Sequence, residues 1–273
     1  MAERPTLLAV LAHPDDESLV AGGTMARYAA AGVRVALLCA TRGEWGPISD
    51  DDLADYETLA QVRETELRAA CEVLGVCWLR FLDLPDGGVR WAMEDESYGA
   101  LEKVVRAMRE LQPQVIITFG ADGLYGHDDH IAIGQFTTDA CVMAAQLDAF
   151  PQHYGEGLTP HHTAKLYYAA CPKGFMAALV ERLRQAGLPS NLWNIAPEEF
   201  GIPSEAITTE IDVRDFVDRK LAALRCHQTQ MMDDHAFKAI PQEIAMEFLG
   251  REHFYLVSEI SPSRLEVDLF ADT

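Results

Sequence analysis

Two short stretches concentrate the side chains able to hold a cation and move a proton. The first is Ala12-His13-Pro14-Asp15-Asp16-Glu17, and the second is His127-Asp128-Asp129-His130. In the first, an apolar run leads straight into a histidine, a proline and three carboxylates. Proline disfavours helical geometry in the residue before it, so His13 ends an extended segment. Asp and Glu are also favoured in the first turn of a helix, where free amides and the dipole attract them. A helix start alone accounts for some of these carboxylates. It does not account for His13, and three adjacent acids repel one another unless a cation compensates. The second stretch likewise follows an apolar run and precedes a helical pattern. A zinc hydrolase site needs three ligands from histidine and carboxylate, one position open for water, and a base within reach of that water. Together the two stretches supply that set.

The elements that must position them follow from periodicity. Residues 6–12 read as a buried parallel strand, and residues 18–31 as a helix ended by Gly32. Further strands are expected at 33–40, 76–82, 115–119 and 165–170, and helices at 58–74, 98–111, from after His130 to about 147, and at 175–186. Residues 45–57 and 83–88 read as loop and turn. This β-α-β-α order predicts an α/β fold, a parallel sheet with right-handed crossovers and helices on both faces. Ligands of such sheets bind at the carboxyl ends of the strands, where both polar stretches lie. Beyond residue 150 the pattern weakens. Residues 150–165 read as a loop and 187–210 as irregular. Asp212 reads as the N-cap of a helix carrying the stripe Val213, Phe216, Val217, Leu221 and Leu224. With no clean linker, residues 148–273 are expected to pack on the sheet and shape the pocket.

The chain has 273 residues, 49% of them hydrophobic, and a net charge of −21. The acidity disfavours nucleic acid and anionic membranes as partners, since both need basic footprints. No apolar run approaches the ~20 residues of a membrane helix, and no leader is legible ahead of the first strand, so a cytoplasmic location is expected. Six cysteines without a C-x-x-C pair point to reduced, packed thiols.

The pairing of Ala12-His13-Pro14-Asp15-Asp16-Glu17 with His127-Asp128-Asp129-His130 resembles the LmbE-like, or PIG-L, family of zinc-dependent de-N-acetylases. Thr41-Arg42-Gly43-Glu44, Arg63-Glu64-Thr65-Glu66-Leu67, Leu74-Gly75-Val76, Leu84-Pro85-Asp86-Gly87 and residues 220–230 carry further likeness. The resemblance is specific over residues 6–147 and patchy beyond. It implies a Rossmann-like, mostly parallel sheet and a single domain over residues 1–273, with the metal site in 1–147. It also implies His13, Asp16 and His130 as ligands of one Zn2+, with Fe(II) nearly as well suited. Asp15 would be the general base. His127 would stabilise the oxyanion or protonate the leaving amine, Asp129 would orient a histidine, and Tyr125 would touch the scissile carbonyl. Arg63 and Asp86 match positions that hold the sugar. Asp128 departs from the family, which usually has proline there.

Other residues read more plainly. Arg63 and Glu66, by spacing alone, form a surface pair contributing ~0.3 kcal/mol. His227 reads as favouring the negative end of a helix dipole. His153, His161 and His162 read as surface histidines, Glu17 as a first-turn carboxylate, and Gly22-Gly23 lacks a dinucleotide pattern. The expected activity is removal of an acetyl group from the amide nitrogen of a 2-acetamido sugar or glycoconjugate. The alternatives are an amidase acting on a larger thiol-sugar conjugate, and a metal-binding homologue without turnover. The expected partner is a small acylated amino sugar, and homo-oligomerisation is compatible with the sequence.

Overall fold

Thr6–Leu11 shows no alternation of polar and apolar residues, and all six side chains are buried. A strand covered on both faces reads this way. The structure, a computed structural model, describes residues 4–95, 99–257, 264–271 and 273. Within them Thr6–Leu11 forms β1, followed by α1 (Asp16–Ala30), β2 (Arg34–Cys39), α2 (Leu59–Leu74), β3 (Trp78–Phe81), α3 (Val89–Glu94), α4 (Ala100–Leu111) and β4 (Val115–Phe119). Next come a short helical turn α5 (Gly123–Gly126), the long α6 (Asp128–Ala145), a second turn α7 (Gln152–Gly155), β5 (Lys165–Ala170) and α8 (Phe175–Gln185). The chain closes its sheet with β6 (Thr209–Asp212), α9 (Val217–Leu224), α10 (Gln242–Leu249) and β7 (Arg251–Leu256).

The seven strands lie in the order β3-β2-β1-β4-β5-β7-β6. From β3 to β5 every pairing is parallel, whereas β7 runs antiparallel to both β5 and β6. The sheet is therefore α/β and mostly parallel, as expected. Strand order reverses between β1 and β4, with Leu8 paired to both Ala36 and Ile116. Such a switch point opens a crevice at the carboxyl ends of the two strands. His13 leaves β1 there, and His127 and His130 follow β4.

Several expectations change. The Asp212 side chain accepts from the Arg214 amide at 3.1 Å, as a cap would. Its backbone nevertheless ends β6, and the regular helix begins only at Val217. The stripe of Val213, Val217, Leu221 and Leu224 is buried as expected. β6, α10, β7 and the six-residue α3 had no counterpart in the sequence reading. The start of the helix expected at 98–111 falls partly outside the described residues, since Tyr98 is not among them, and α4 begins at Ala100. Among the described residues no helix is long and apolar enough to cross a membrane, and the six cysteines are free thiols.

α6 sits close on the end of β4 because Gly134 carries no side chain. A Cβ there would lie 2.2 Å from the Phe119 carbonyl oxygen. That contact sets how near His130 comes to the crevice. Replacing Gly134 with alanine forces helix and strand apart, and overpacking of this kind costs about 1–3 kcal/mol. Gly134→Ala is expected to lower the urea midpoint accordingly; an unchanged midpoint would mean the helix has slack that the packing does not show.

Candidate metal centre and its cavity

The turn from β1 into α1 places His13, Asp15 and Asp16 within four residues. Asp16 Oδ2 accepts from the amides of Ala12 and His13 at 3.1 and 2.8 Å. This folds the carboxylate back over the strand end and leaves Oδ1 facing the crevice. His13 points Nε2 at Asp129 Oδ2, 3.3 Å away, and at Asp86 Oδ1, 3.2 Å away. Two carboxylates there require Nε2 to carry a proton, so Nδ1 is the nitrogen left for an ion. His130 donates from Nδ1 to the Gly123 carbonyl at 3.1 Å, so its free nitrogen is Nε2. Phe119, at the end of β4, stacks on the His130 ring with centroids 3.9 Å apart.

Three electron-rich atoms thus converge. His130 Nε2 lies 3.3 Å from His13 Nδ1 and 3.2 Å from Asp16 Oδ1, and His13 Nδ1 lies 3.6 Å from the Asp16 carboxylate. An ion with tetrahedral bonds of ~2.0–2.1 Å holds its ligands about 3.3 Å apart. The donor set therefore fits a small divalent cation of the zinc type. His13, His127 and His130 also bring ligand atoms within 4.8 Å of one another, as do His13, Asp86 and Asp129. Tautomers decide among these sets. Asp86 and Asp129 face the proton-bearing side of His13, and His127 Nδ1 already accepts from the Asp129 amide at 3.2 Å. They surround the candidate ligands rather than join them. Burial works against a charged His13, yet Asp129, Asp16 and Asp86 outweigh it and hold the imidazole well above its ordinary pKa. The site favours positive charge.

Asp129 is itself fixed by the amides of Gly87 and Val89 at 2.7 and 3.0 Å. The turn Leu84-Pro85-Asp86-Gly87 therefore holds the residue that orients His13. Asp86 accepts from the Trp45 amide at 2.9 Å, and its own amide donates to Glu44 Oε1 at 2.9 Å. Burial raises its carboxyl, but His13 and the Trp45 amide prevail and hold it at about 2.

Asp15 lies beside the convergence point. Arg63 donates to Asp15 Oδ2 at 3.2 Å, to the Pro14 carbonyl at 2.5 Å and to the Gly43 carbonyl at 2.9 Å. Gly43 is a glycine for two reasons: its φ is +65°, and a Cβ would sit 2.2 Å from Arg63 Nη1. Burial drives the Asp15 carboxyl up, Arg63 opposes it, Asp16 adds to it, and the balance leaves Asp15 at about 6. Burial and the neighbouring His13 and His130 push His127 down to about 4, so it is neutral near pH 7. With Nδ1 accepting, neutral His127 carries its proton on Nε2. Tyr125 packs edge-on to His127 and His130, with centroids 5.8 and 5.3 Å apart. Burial raises its hydroxyl above the ordinary range.

These groups line a cavity of about 440 Å³. His13, Asp15, Asp16, Arg63, Asp86, Tyr125 and His127 all reach it, whereas Asp129 and His130 sit behind its wall. Asp128 is exposed in the first turn of α6 and lines none of it. The sequence reading missed the outer wall of Leu19, Trp45, Trp193, Ile195 and Gln230. It flagged only the last of these, as part of the family-like stretch 220–230. Arg63 and Glu66 are not a surface pair: both are buried, and Glu66 accepts from the Thr229 amide and hydroxyl at 2.8 and 2.7 Å. His153 and His161 are buried away from the cavity, on Arg109 and Glu102 and on Gln112 and Pro113; His162 is exposed. His227 does not sit exposed at a helix end. It is fully buried, with Nε2 2.8 Å from Glu17 Oε1.

Asp129→Asn leaves the Gly87 and Val89 amides one acceptor short and loosens the His13 ring. Loss of such an outer partner weakens metal binding by about 10–100-fold. Competition with a chromogenic chelator reads this directly; affinity within threefold of the parent would assign the orientation of His13 to Asp86 instead.

Comparison with known proteins places the chain in a family. Residues 8–141 match the family described as PIG-L, GlcNAc-PI de-N-acetylase. A 1D-myo-inositol 2-acetamido-2-deoxy-alpha-D-glucopyranoside deacetylase from Thermobispora bispora is 37% identical, over 99% of this chain and 99% of its own. Two solved structures share the fold. The N,N'-diacetylchitobiose deacetylase of Pyrococcus horikoshii has a TM-score of 0.68 at 20% identity, over 93% of this chain and 84% of its own. A 4-carboxy-2-hydroxymuconate hydratase of Pseudomonas putida has a TM-score of 0.66 at 18% identity, over 96% of this chain and 99% of its own. The architecture thus hosts more than one reaction, while full-length identity is to a deacetylase. The chain belongs to the PIG-L de-N-acetylase family.

Proposed function

We propose that this protein is a zinc-dependent hydrolase that removes the acetyl group from the nitrogen of a 2-acetamido sugar, acting in the cytoplasm. Residues 1–273 would act as one catalytic domain, with 148–273 supplying the outer cavity wall. The reading is carried by one observation: His13, Asp16 and His130 converge at the spacing of a metal's ligands beside Asp15, at the floor of a cavity of about 440 Å³. Fe(II) suits the same ligands nearly as well.

His13 Nδ1, Asp16 Oδ1 and His130 Nε2 would hold the ion. When bound, it lowers the pKa of water at the site towards ~7 and draws electron density from the amide carbonyl. Asp15 takes the proton from the attacking water. Its carboxyl at about 6 is close enough to neutrality to accept that proton and return it. His127, neutral with its Nε2 protonated, donates a hydrogen bond to the oxyanion, and the Tyr125 hydroxyl stands close by. A neutral His127 makes a poor acid, so Asp15 passes its proton to the leaving amine. Arg63 holds Asp15 in place throughout, and Asp86 lines the sugar side of the cavity. The products are acetate and the free amino sugar.

The substrate named for the 37%-identical relative is the first compound to assay, followed by simpler N-acetylglucosaminides. Acetate release should vanish with a chelator and return with zinc. Asp15→Asn should keep the ion and lose about 10²–10⁴-fold in turnover. Stoichiometric metal with no release from any acyl amino sugar or thiol conjugate would favour a binding protein over an enzyme.

The pH profile follows from the sign of the Asp15 shift. Asp15 must be ionised to act as a base, so the rate rises with pH through its pKa and then levels. The inflection is expected at or below about 6, because a bound dication favours the carboxylate. An acid limb centred above pH 7 would remove Asp15 from this role.

A further inference from the structure

Asp15 sits where an aspartate does not stay unaided. Its φ is 121° and its ψ −28°, in the half of conformational space that non-glycine residues avoid. Arg63 restrains the carboxylate end. The backbone end has a separate restraint, since the Asp15 amide donates to Glu17 Oε2 at 3.0 Å. Glu17 cannot swing away. Its Oε1 accepts from His227 Nε2 at 2.8 Å and from the Ser18 hydroxyl at 2.5 Å. Glu17 and His227 are both 0% exposed, and neither lines the cavity. His227 Nδ1 has no partner among the described residues. The imidazole therefore serves one contact, the one to Glu17, across 210 residues of chain. Burying a carboxylate with an imidazole in an apolar core is unfavourable unless the pair meets a need.

We propose that Glu17 and His227 are positioning residues for the deacylation: the pair clamps the Asp15 amide and so aims the Asp15 carboxylate at the attacking water. The inference rests on Asp15 as the base. The clamp works through the backbone of Asp15 and spares the ion site, because the Asp16 carboxylate has its own donors in the amides of Ala12 and His13. Removing it therefore separates turnover from metal binding.

The test compares His227→Gln with His227→Asn in the zinc-loaded enzyme, alongside Glu17→Gln. Both His227 variants bury an amide of similar polarity, but only glutamine extends its N–H to the place of Nε2. A misaimed catalytic group costs about 10²-fold. His227→Asn and Glu17→Gln should lose that much kcat, with KM and zinc stoichiometry unchanged, and His227→Gln should recover most of it. A merely structural histidine would treat asparagine and glutamine alike, and equal kcat for the two overturns the proposal. So does zinc lost in step with activity, which would place the effect on Asp16. Wild-type acetate release is measured first. Its absence sinks the deacylase reading and the clamp with it, whereas an active wild type beside equally active variants sinks the clamp alone.

Discussion

Three ligand atoms brought to the spacing of a small cation's shell govern this site. His130 Nε2 lies 3.3 Å from His13 Nδ1 and 3.2 Å from Asp16 Oδ1, and each group is locked in place by a hydrogen bond on its far side. The lock for His130 is the Gly123 carbonyl. For His13 it is Asp129, which two amides of the turn after β3 hold in turn. Three strand ends therefore cooperate to present one electron-rich spot. Rigid ligands of this kind lose little entropy when a cation arrives. The switch point in the sheet is what brings them together.

Asp15 is governed by a second opposition. Burial alone would keep its carboxyl protonated, and Arg63 alone would keep it ionised. Their near balance leaves it at about 6. Adjacent Asp16 meets the same burial with two histidines in front of it and is held well below the carboxylate range. Two neighbouring aspartates thus differ in charge affinity because one faces an arginine from the side and the other faces the imidazoles.

What the sequence made legible divides along one line, the distance in the chain between a residue and its partner. His13 with Asp16 and His127 with His130 are local pairs at strand-to-helix turns, so motif and neighbouring periodicity reveal them together. Strands β4 and β5 were readable to the residue because each is a short apolar run between turn signals. Arg63 was misleading. Glu66 lies on the same helix face, but the groups they bond, Gly43 and Pro14 for one and Thr229 for the other, come from elsewhere. His227 and Glu17 failed for the same reason. His153 and His161 lie in a segment rich in proline and glycine that reads as surface, yet both are buried, against Arg109 of α4 and against Gln112 just past its end. β6 and β7 escaped because antiparallel strands of four and six residues with mixed burial carry too little alternation to stand out.

The order β5-β7-β6 has a consequence for how the molecule comes together. β6 precedes β7 in the chain, yet its ladder is formed with β7 alone, so it has no seat in the sheet until the later strand has docked. The five parallel strands have no such dependence, and they already carry all three candidate ligands. The wall residues Trp193, Ile195 and Gln230 come from chain outside those five strands. Cradle and outer wall thus draw on different stretches of the chain, so one can vary while the other is kept.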